Sequence, residues 1–266
     1  FSAPAKGRVK QATPADLDQV LADFERAARV AIAAGFDAVE VHLGHNYLLS
    51  SFMSPNLNKR TDRYGGSIEN RSAYPRRVLA AVREAAPDHM AVTAKFNMAD
   101  GVDNGLWLDE SIPMAKLIEA DGHLDAMQLT GGSSLLNGMY FFRGDVPLKE
   151  FRASQPAIVG LGLKFYGPKL FPKYPYEEGF FLPFARQFRD ELTMPLILLG
   201  GINLRSTIDE ALGEGFEFVA MARALLREPD LINRMQSDPD HVGLCVHCNK
   251  CLPTIYTGTR CVLTDV

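Results

Sequence analysis

Apolar residues recur along this chain with two alternating periods. Over residues 14–34, Leu17, Val20, Leu21, Phe24, Ala27, Ala28 and Ala31 return every third or fourth position, the period of an amphipathic helix. Thr13 is placed to cap that helix, Pro14 suits its first turn, and Gly35 suits its end. A short apolar run at 36–41 then reads as a strand. The succession repeats: a helix over 69–86 capped by Ser67, a strand at 90–96, a helix over 108–120 and a strand at 124–129. Residues 130–179 are rich in glycine, proline and aromatics and read as irregular, and the aromatic-rich segment 138–181 reads as either a lid or substrate-binding element or a packed excursion. Beyond them come a helix at 180–192, a strand at 195–199, a helix at 205–213, a strand at 216–221 and a helix at 225–235.

Each of the five strands is a short, nearly continuous apolar run, which predicts burial on both faces. Repeated strand–helix units predict an α/β fold with a parallel sheet, either a closed barrel or an open doubly wound sheet. No G-x-G-x-x-G follows any strand, so the usual dinucleotide fingerprint is missing. The last two strands instead end in Gly200-Gly201 and Ala222-Arg223. Small residues let backbone amides approach a phosphate and Arg223 adds a forked charge, as in the phosphate site of the last two loops of a TIM (β/α)8 barrel. On that alignment the five strands are numbers 4–8 of a barrel, and the first three βα units are absent. A complete five-stranded open sheet is the alternative.

Composition adds little until the cysteines. Hydrophobic residues at 47% and charged residues at 23% are an ordinary globular balance. A net charge of -4 gives no whole-chain electrostatic case for nucleic acid or an anionic membrane. No apolar run is long enough to span a bilayer, and the first sixteen residues lack the apolar core of a signal peptide, so a cytoplasmic protein is expected. The four cysteines, Cys245, Cys248, Cys251 and Cys261, follow 244 residues that contain none. A disulfide scaffold would spread its bridges; clustering favours a metal or cluster site in a reducing compartment. C-x2-C-x2-C suits iron or zinc, and four reduced thiols without metal is the plainer alternative.

The densest chemistry lies in VEVHLGHNYLLSSFMSPNLNKRTDRYGGSIENR. His42, His45 and Tyr47 arrive together at a strand end, where parallel folds bind ligands. A phenol can give up a proton, and two imidazoles can point N–H groups at a developing oxyanion. They could instead bind metal, though no third ligand is near in sequence, or be structural. Lys95 ends the next strand and is either a charge for a ligand or the ion-pair partner of a carboxylate such as Asp100.

These segments, with AKFNMADG, LLGGIN, VAMARALLREPDL and CVHCNKC in the same order, resemble the old yellow enzyme-type flavin oxidoreductases. The nearest-looking branch is that of NADH:flavin oxidoreductases and 2,4-dienoyl-CoA reductases. The resemblance covers most of the chain and implies an FMN-binding TIM barrel over 1–240 and a cysteine-rich tail over 241–266. It implies Tyr47 as proton donor and His42 and His45 as the pair binding the substrate's electron-withdrawing group. It implies Lys95 at the flavin's pyrimidine edge, Gly200, Gly201, Ala222 and Arg223 at its phosphate, and the four cysteines around a 4Fe-4S cluster, with zinc second. The implied reaction is reduction of an activated C=C bond by NADH or NADPH through FMN, or the related dehydrogenase direction. Two features depart from the pattern: Lys95 replaces a more usual arginine, and C-x2-C-x2-C-x9-C is a shorter spacing than the cluster-binding branch leads one to expect. Two other readings stand beside it: a non-flavin barrel acting on a phosphorylated metabolite, and an inactive binding fragment. The expected partner is a small-molecule substrate, with no nucleic acid and no membrane; a homo-oligomer is left open.

Overall fold

The computed structural model describes residues 10–264, the side chain of Tyr256 excepted. Residues 1–9, where the signal-peptide reading and the 1–240 domain begin, lie outside the described residues, as do 265–266, the end of the 241–266 tail. The elements begin α1 (Pro14–Ala33), β1 (Ala38–Leu43), α2 (Leu48–Met53), α3 (Ile68–Ala85), β2 (Ala91–Asn97), α4 (Leu108–Asp121) and β3 (Ala126–Thr130). They continue α5 (Leu148–Ala153), α6 (Ala157–Leu170), α7 (Leu182–Glu191), β4 (Leu196–Leu199), α8 (Arg205–Gly213), β5 (Phe218–Ala220), α9 (Arg223–Arg227) and α10 (Leu231–Ser237). The strands stand in the order β1-β2-β3-β4-β5 across the sheet, and β1/β2 and β2/β3 pair in parallel. This is the α/β class, with five βα units of the TIM-barrel type. No helix among the described residues is long and apolar enough to cross a membrane.

The chain divides into two compact units, Phe1–Leu136 with Phe184–Ile197, and Asn137–Pro183 with Leu198–Val266. In the first unit, α1 starts where its sequence predicts. Asp16 N donates to Thr13 Oγ1 at 3.2 Å while Thr13 N donates to Asp16 Oδ2 at 2.8 Å, a reciprocal cap. Strand β1 begins and ends two residues later than its apolar run, because its ladder with β2 extends through His42↔Lys95 and Leu43↔Phe96. Val41, Leu43, Val92, Ala94, Phe96, Met127 and Leu129 form a buried face. Phe96 meets Phe188 edge to face at 5.9 Å. The expectation that both strand faces are buried and apolar is corrected here. The alternate positions Glu40, His42, Thr93, Lys95 and Gln128 are polar and at least partly open, and Thr130 on the same face is polar but buried, since successive strand side chains point to opposite faces.

The RTDRYGG loop is held by its own polar groups. Asn58 Nδ2 donates to Phe52 O and Tyr64 O, both at 2.7 Å, and Asn70 Nδ2 to Gly65 O at 3.0 Å. A Cβ on Gly65 would stand 2.0 Å from Arg60 O, so only glycine fits there. Arg71 Nε donates to Gly66 O at 3.0 Å, and its guanidinium also pairs with Glu110.

Residues 130–179 are not irregular throughout: α5 and α6, both in the second unit, occupy part of them. Their glycines mislead a sequence reading because they serve packing, not turns. A Cβ on Gly160 would lie 2.9 Å from Arg152 O, and one on Gly167 would lie 3.0 Å from Leu148 Cδ2, so glycine lets the two helices close on each other. Phe151 and Phe171 stack at 5.4 Å. The expected helix over 225–235 is two helices, α9 and α10. Pro229 has no N–H and forces Glu228 out of helical geometry (φ -141°). Ala224, Leu231 and Met235 form a small core joined by Ile208, Met221, Leu225 and Cys245.

Candidate active site

In the first unit, His42 lies on β1 and the chain turns immediately after it. Both His45 (φ 59°) and Asn46 (φ 57°) take left-handed backbone, uncommon outside glycine and tolerated by short polar side chains. This tight turn folds the three candidate rings together. His42 and His45 have centroids 5.1 Å apart, and His42 and Tyr47 5.3 Å. Tyr47 then opens α2 and is 52% exposed, so its phenol is accessible to a ligand.

The turn is held by Asn97, Thr130 and Asp100, the last expected from the sequence only as a possible partner of Lys95. Asn97 Oδ1 accepts from His45 N at 3.2 Å, and His45 Nε2 lies 2.9 Å from Thr130 Oγ1. Asp100 is wholly buried. Its Oδ1 accepts from Asn46 Nδ2 at 2.9 Å and Asn97 Nδ2 at 2.8 Å. Its Oδ2 accepts from Ser54 Oγ at 2.6 Å and Leu106 N at 2.8 Å. Asp100 is therefore not the partner of Lys95. Lys95 Nζ lies 3.1 Å from Glu40 Oε1 instead, and Gln128 Nε2 donates to Glu40 Oε2 at 2.9 Å. The signal for Glu40, Asn97, Gln128 and Thr130 was present in the sequence as polar side chains at alternate positions of otherwise apolar strands; Asn46, Ser54 and Asp100 lie outside the strands and carried no such signal.

Electrostatics favour neutral imidazoles. Burial, then the neighbouring His42 and Lys95, push His45 down to about 3. Burial and Lys95 also lower His42, with Glu40 opposing. The sign of the pH effect follows. Between about 3 and the ordinary 6.5 the unfolded chain binds a proton that folded His45 refuses, so stability is full above 6.5 and falls as pH drops through that window. His45 alone is expected to remove on the order of 2 kcal/mol between neutral pH and about pH 4.5. Urea melts should show that slope in the wild type and a flatter one in His45→Gln. Equal slopes would contradict the assignment.

The second unit gathers the other candidates. Gly200 (φ 122°) and Gly201 (φ 72°) end β4 in backbone that favours glycine. Cβ atoms there would meet Phe181 Cδ2 at 2.7 Å and Phe180 Cδ1 at 2.5 Å. Gly201→Ala is expected to cost about 1–3 kcal/mol, read from its denaturation midpoint; an unshifted midpoint would show that Phe180 yields freely. Glu178 Oε1 accepts from Asn203 N at 2.6 Å and Leu204 N at 2.9 Å, so a side-chain carboxylate already takes those two amides of the loop. Ala222 is exposed just before α9. Arg223 Nη1 donates to Phe142 O and Arg143 O, both at 3.2 Å, and to Asn249 Oδ1.

Cys245, Cys248, Cys251 and Cys261 are unbridged thiols that line one cavity together with Arg223. Burial pushes the Cys245 and Cys251 thiols up, and Arg223 opposes it. The composition of this cavity fits a thiolate-bound group, with a guanidinium beside it to offset negative charge. Among the described residues no three His, Cys, Asp or Glu side chains are arranged to hold a single metal ion. Tyr176 stacks on His247 at 3.4 Å beside the cysteines, a contact the sequence analysis did not anticipate.

The strand end carries a phenol and two imidazoles on an α/β sheet, where parallel folds bind ligands, and comparison with known proteins shows what the chain resembles. Solved structures share the fold. A 2-naphthoyl-CoA reductase complex matches with a TM-score of 0.70 at 22% identity, over 90% of this chain and 32% of that one. An old yellow enzyme homologue from Zymomonas mobilis matches with a TM-score of 0.62 at 19% identity, over 96% and 61%. The 4,4'-dithiodibutanoate disulfide reductase of Rhodococcus erythropolis is 74% identical over 265 residues, 100% of this chain and 66% of that protein. The chain thus spans just under two thirds of that relative's length. The model of the NADH:flavin oxidoreductase / NADH oxidase family matches residues 4–130. Over these residues the chain is similar to this family of oxidoreductases.

The family implies a flavin and NAD(P)H. The open polar face of β1, β2 and β3 supplies the donors and acceptors that a flavin's polar ring edge requires, and Lys95 has ammonium protons beyond the one directed to Glu40.

Proposed function

We propose that the whole protein is an FMN-dependent NAD(P)H oxidoreductase of the cytoplasm that reduces an activated C=C bond in a small-molecule substrate. The observation that carries this reading is the cluster at the end of β1, with the ring of His42 5.1 Å from that of His45 and 5.3 Å from that of Tyr47. When bound, FMN would supply hydride drawn from NADH or NADPH. The chain's own residues manage charge and protons at the acceptor. His42 and His45, neutral at pH 7, each offer an N–H to a carbonyl or other electron-withdrawing group and stabilise its negative charge as the double bond is reduced. Tyr47 holds at its Oη the proton that goes to the carbon not receiving hydride. Lys95 is assigned to the ring's polar edge, and Gly200, Gly201, Ala222 and Arg223 to its phosphate. Cys245, Cys248, Cys251 and Cys261 are assigned to a 4Fe-4S cluster, with zinc next in line. Iron and acid-labile sulfide in equal amounts are expected in anaerobically purified protein; finding neither would remove the cluster.

The 74% identity to a protein named as a disulfide reductase favours a second acceptor, an organic disulfide, whose departing sulfur would take the Tyr47 proton. One experiment separates the two. The full-length protein is reduced anaerobically with NADH, then mixed with an α,β-unsaturated ketone or with 4,4'-dithiodibutanoate. Fast reoxidation with formation of the saturated ketone supports the first reading. Reoxidation by the disulfide alone supports the second, and reoxidation by neither overturns both.

A further inference from the structure

The cavity lined by Cys245, Cys248, Cys251 and Cys261 carries positive charge that the motif itself does not supply. Two guanidiniums, Arg223 and Arg227, share its wall with the thiols, and no carboxylate among the described residues does. Four positions apart on α9, the two arginines fall on one face of the helix. Apart from Asn249, the rest of the wall is apolar: Leu226, Val246, Val262 and Leu263.

Neither cation is neutralised by what it touches. Arg223 Nη1 donates to the main-chain carbonyls of Phe142 and Arg143 and to the amide oxygen of Asn249, all uncharged. Arg227 pairs with no carboxylate among the described residues. Its neighbour Glu228 is engaged by Arg234, by His241 and by the Leu244 N–H. Arg227 Nε is buried and has no hydrogen-bond acceptor. Buried N–H groups in native proteins almost always have one, and the protein chain offers this one none. The missing acceptor is anionic by the charge of the wall, and the thiols identify it. Four cysteine thiolates on a 4Fe-4S core carry a net charge of about -2, which two guanidiniums match. No three of the described side chains converge on a single ion, so the four thiols suit a centre in which each holds a different metal atom better than one zinc. We propose that Arg227, with Arg223, is the counter-charge of an iron–sulfur cluster held by the four cysteines, and that Arg227 Nε donates to one of its sulfurs. This role rests on the assignment of the cysteines to a 4Fe-4S cluster and extends it to a residue outside the motif. A positive charge and an N–H···S bond both favour the reduced, more negative cluster, so Arg227 raises its reduction potential.

The test compares full-length wild type, Arg227→Met and Arg227→Lys, each purified anaerobically. Iron, zinc and acid-labile sulfide are measured, and the cluster potential is read by electron paramagnetic resonance during a reductive titration. With the cluster retained, Arg227→Met should be about tenfold harder to reduce, a fall of about 59 mV for a one-electron couple. Arg227→Lys, which restores the charge without Nε, should lie between it and the wild type. Loss of iron from Arg227→Met with retention in Arg227→Lys would support the same role. Equal potentials in wild type and Arg227→Met, or equal loss of iron from both variants, would overturn the role of Arg227 and leave the wild-type cluster standing. A wild type without iron and sulfide, or with zinc in their stead, would overturn the cluster and the role of Arg227 together.

Discussion

Replacing Asp100 with alanine is expected to cost about 3–5 kcal/mol of stability and to loosen the turn that carries His45. The carboxylate is wholly buried and accepts four hydrogen bonds of 2.6 to 2.9 Å, from Asn46, Ser54, Asn97 and Leu106. Removing it strands four donors in the interior. The damage reaches the site by a short path, since Asn97 both donates to Asp100 and accepts from His45 N at 3.2 Å. Urea denaturation should show a lower midpoint with an unchanged slope, and activity should fall in the fraction that remains folded. An unmoved midpoint would mean the four donors find other acceptors, and that Asp100 does not organise the turn.

Replacing Tyr47 with phenylalanine is expected to do the opposite, leaving stability alone and cutting turnover by about 10²- to 10⁴-fold, the usual worth of a positioned proton donor. The side chain is 52% exposed and opens α2 through its backbone, so loss of one hydroxyl leaves no buried vacancy. A phenylalanine ring keeps the 5.3 Å contact with His42. The loss should fall on reoxidation by the acceptor, with reduction by NADH spared. Unchanged turnover would remove Tyr47 from the chemistry.

Much of this was legible in the sequence for identifiable reasons. Helices with strong caps, such as α1 with Thr13 and Asp16, declare their ends locally. His42, His45 and Tyr47 lie within a six-residue stretch, so a single tight turn brings them together, and sequence proximity was a fair guide. The partners were not legible. Lys95 has Asp100 five residues away in sequence but pairs with Glu40, because parallel registry sets β1 beside β2. Helix α6 was hidden by Gly160 and Gly167, residues that usually mark loops and here let two helices touch. The division between α9 and α10 had a visible cause in Pro229, which the apolar period outweighed.

The most direct measurement of the central claim is the visible spectrum of the full-length protein as purified. Flavin absorption that NADH bleaches anaerobically, with stoichiometric FMN released on denaturation, is the result expected if the strand-end cluster of His42, His45 and Tyr47 serves a bound flavin. A colourless protein that takes up no added FMN, yet remains folded and catalytically active, would contradict it.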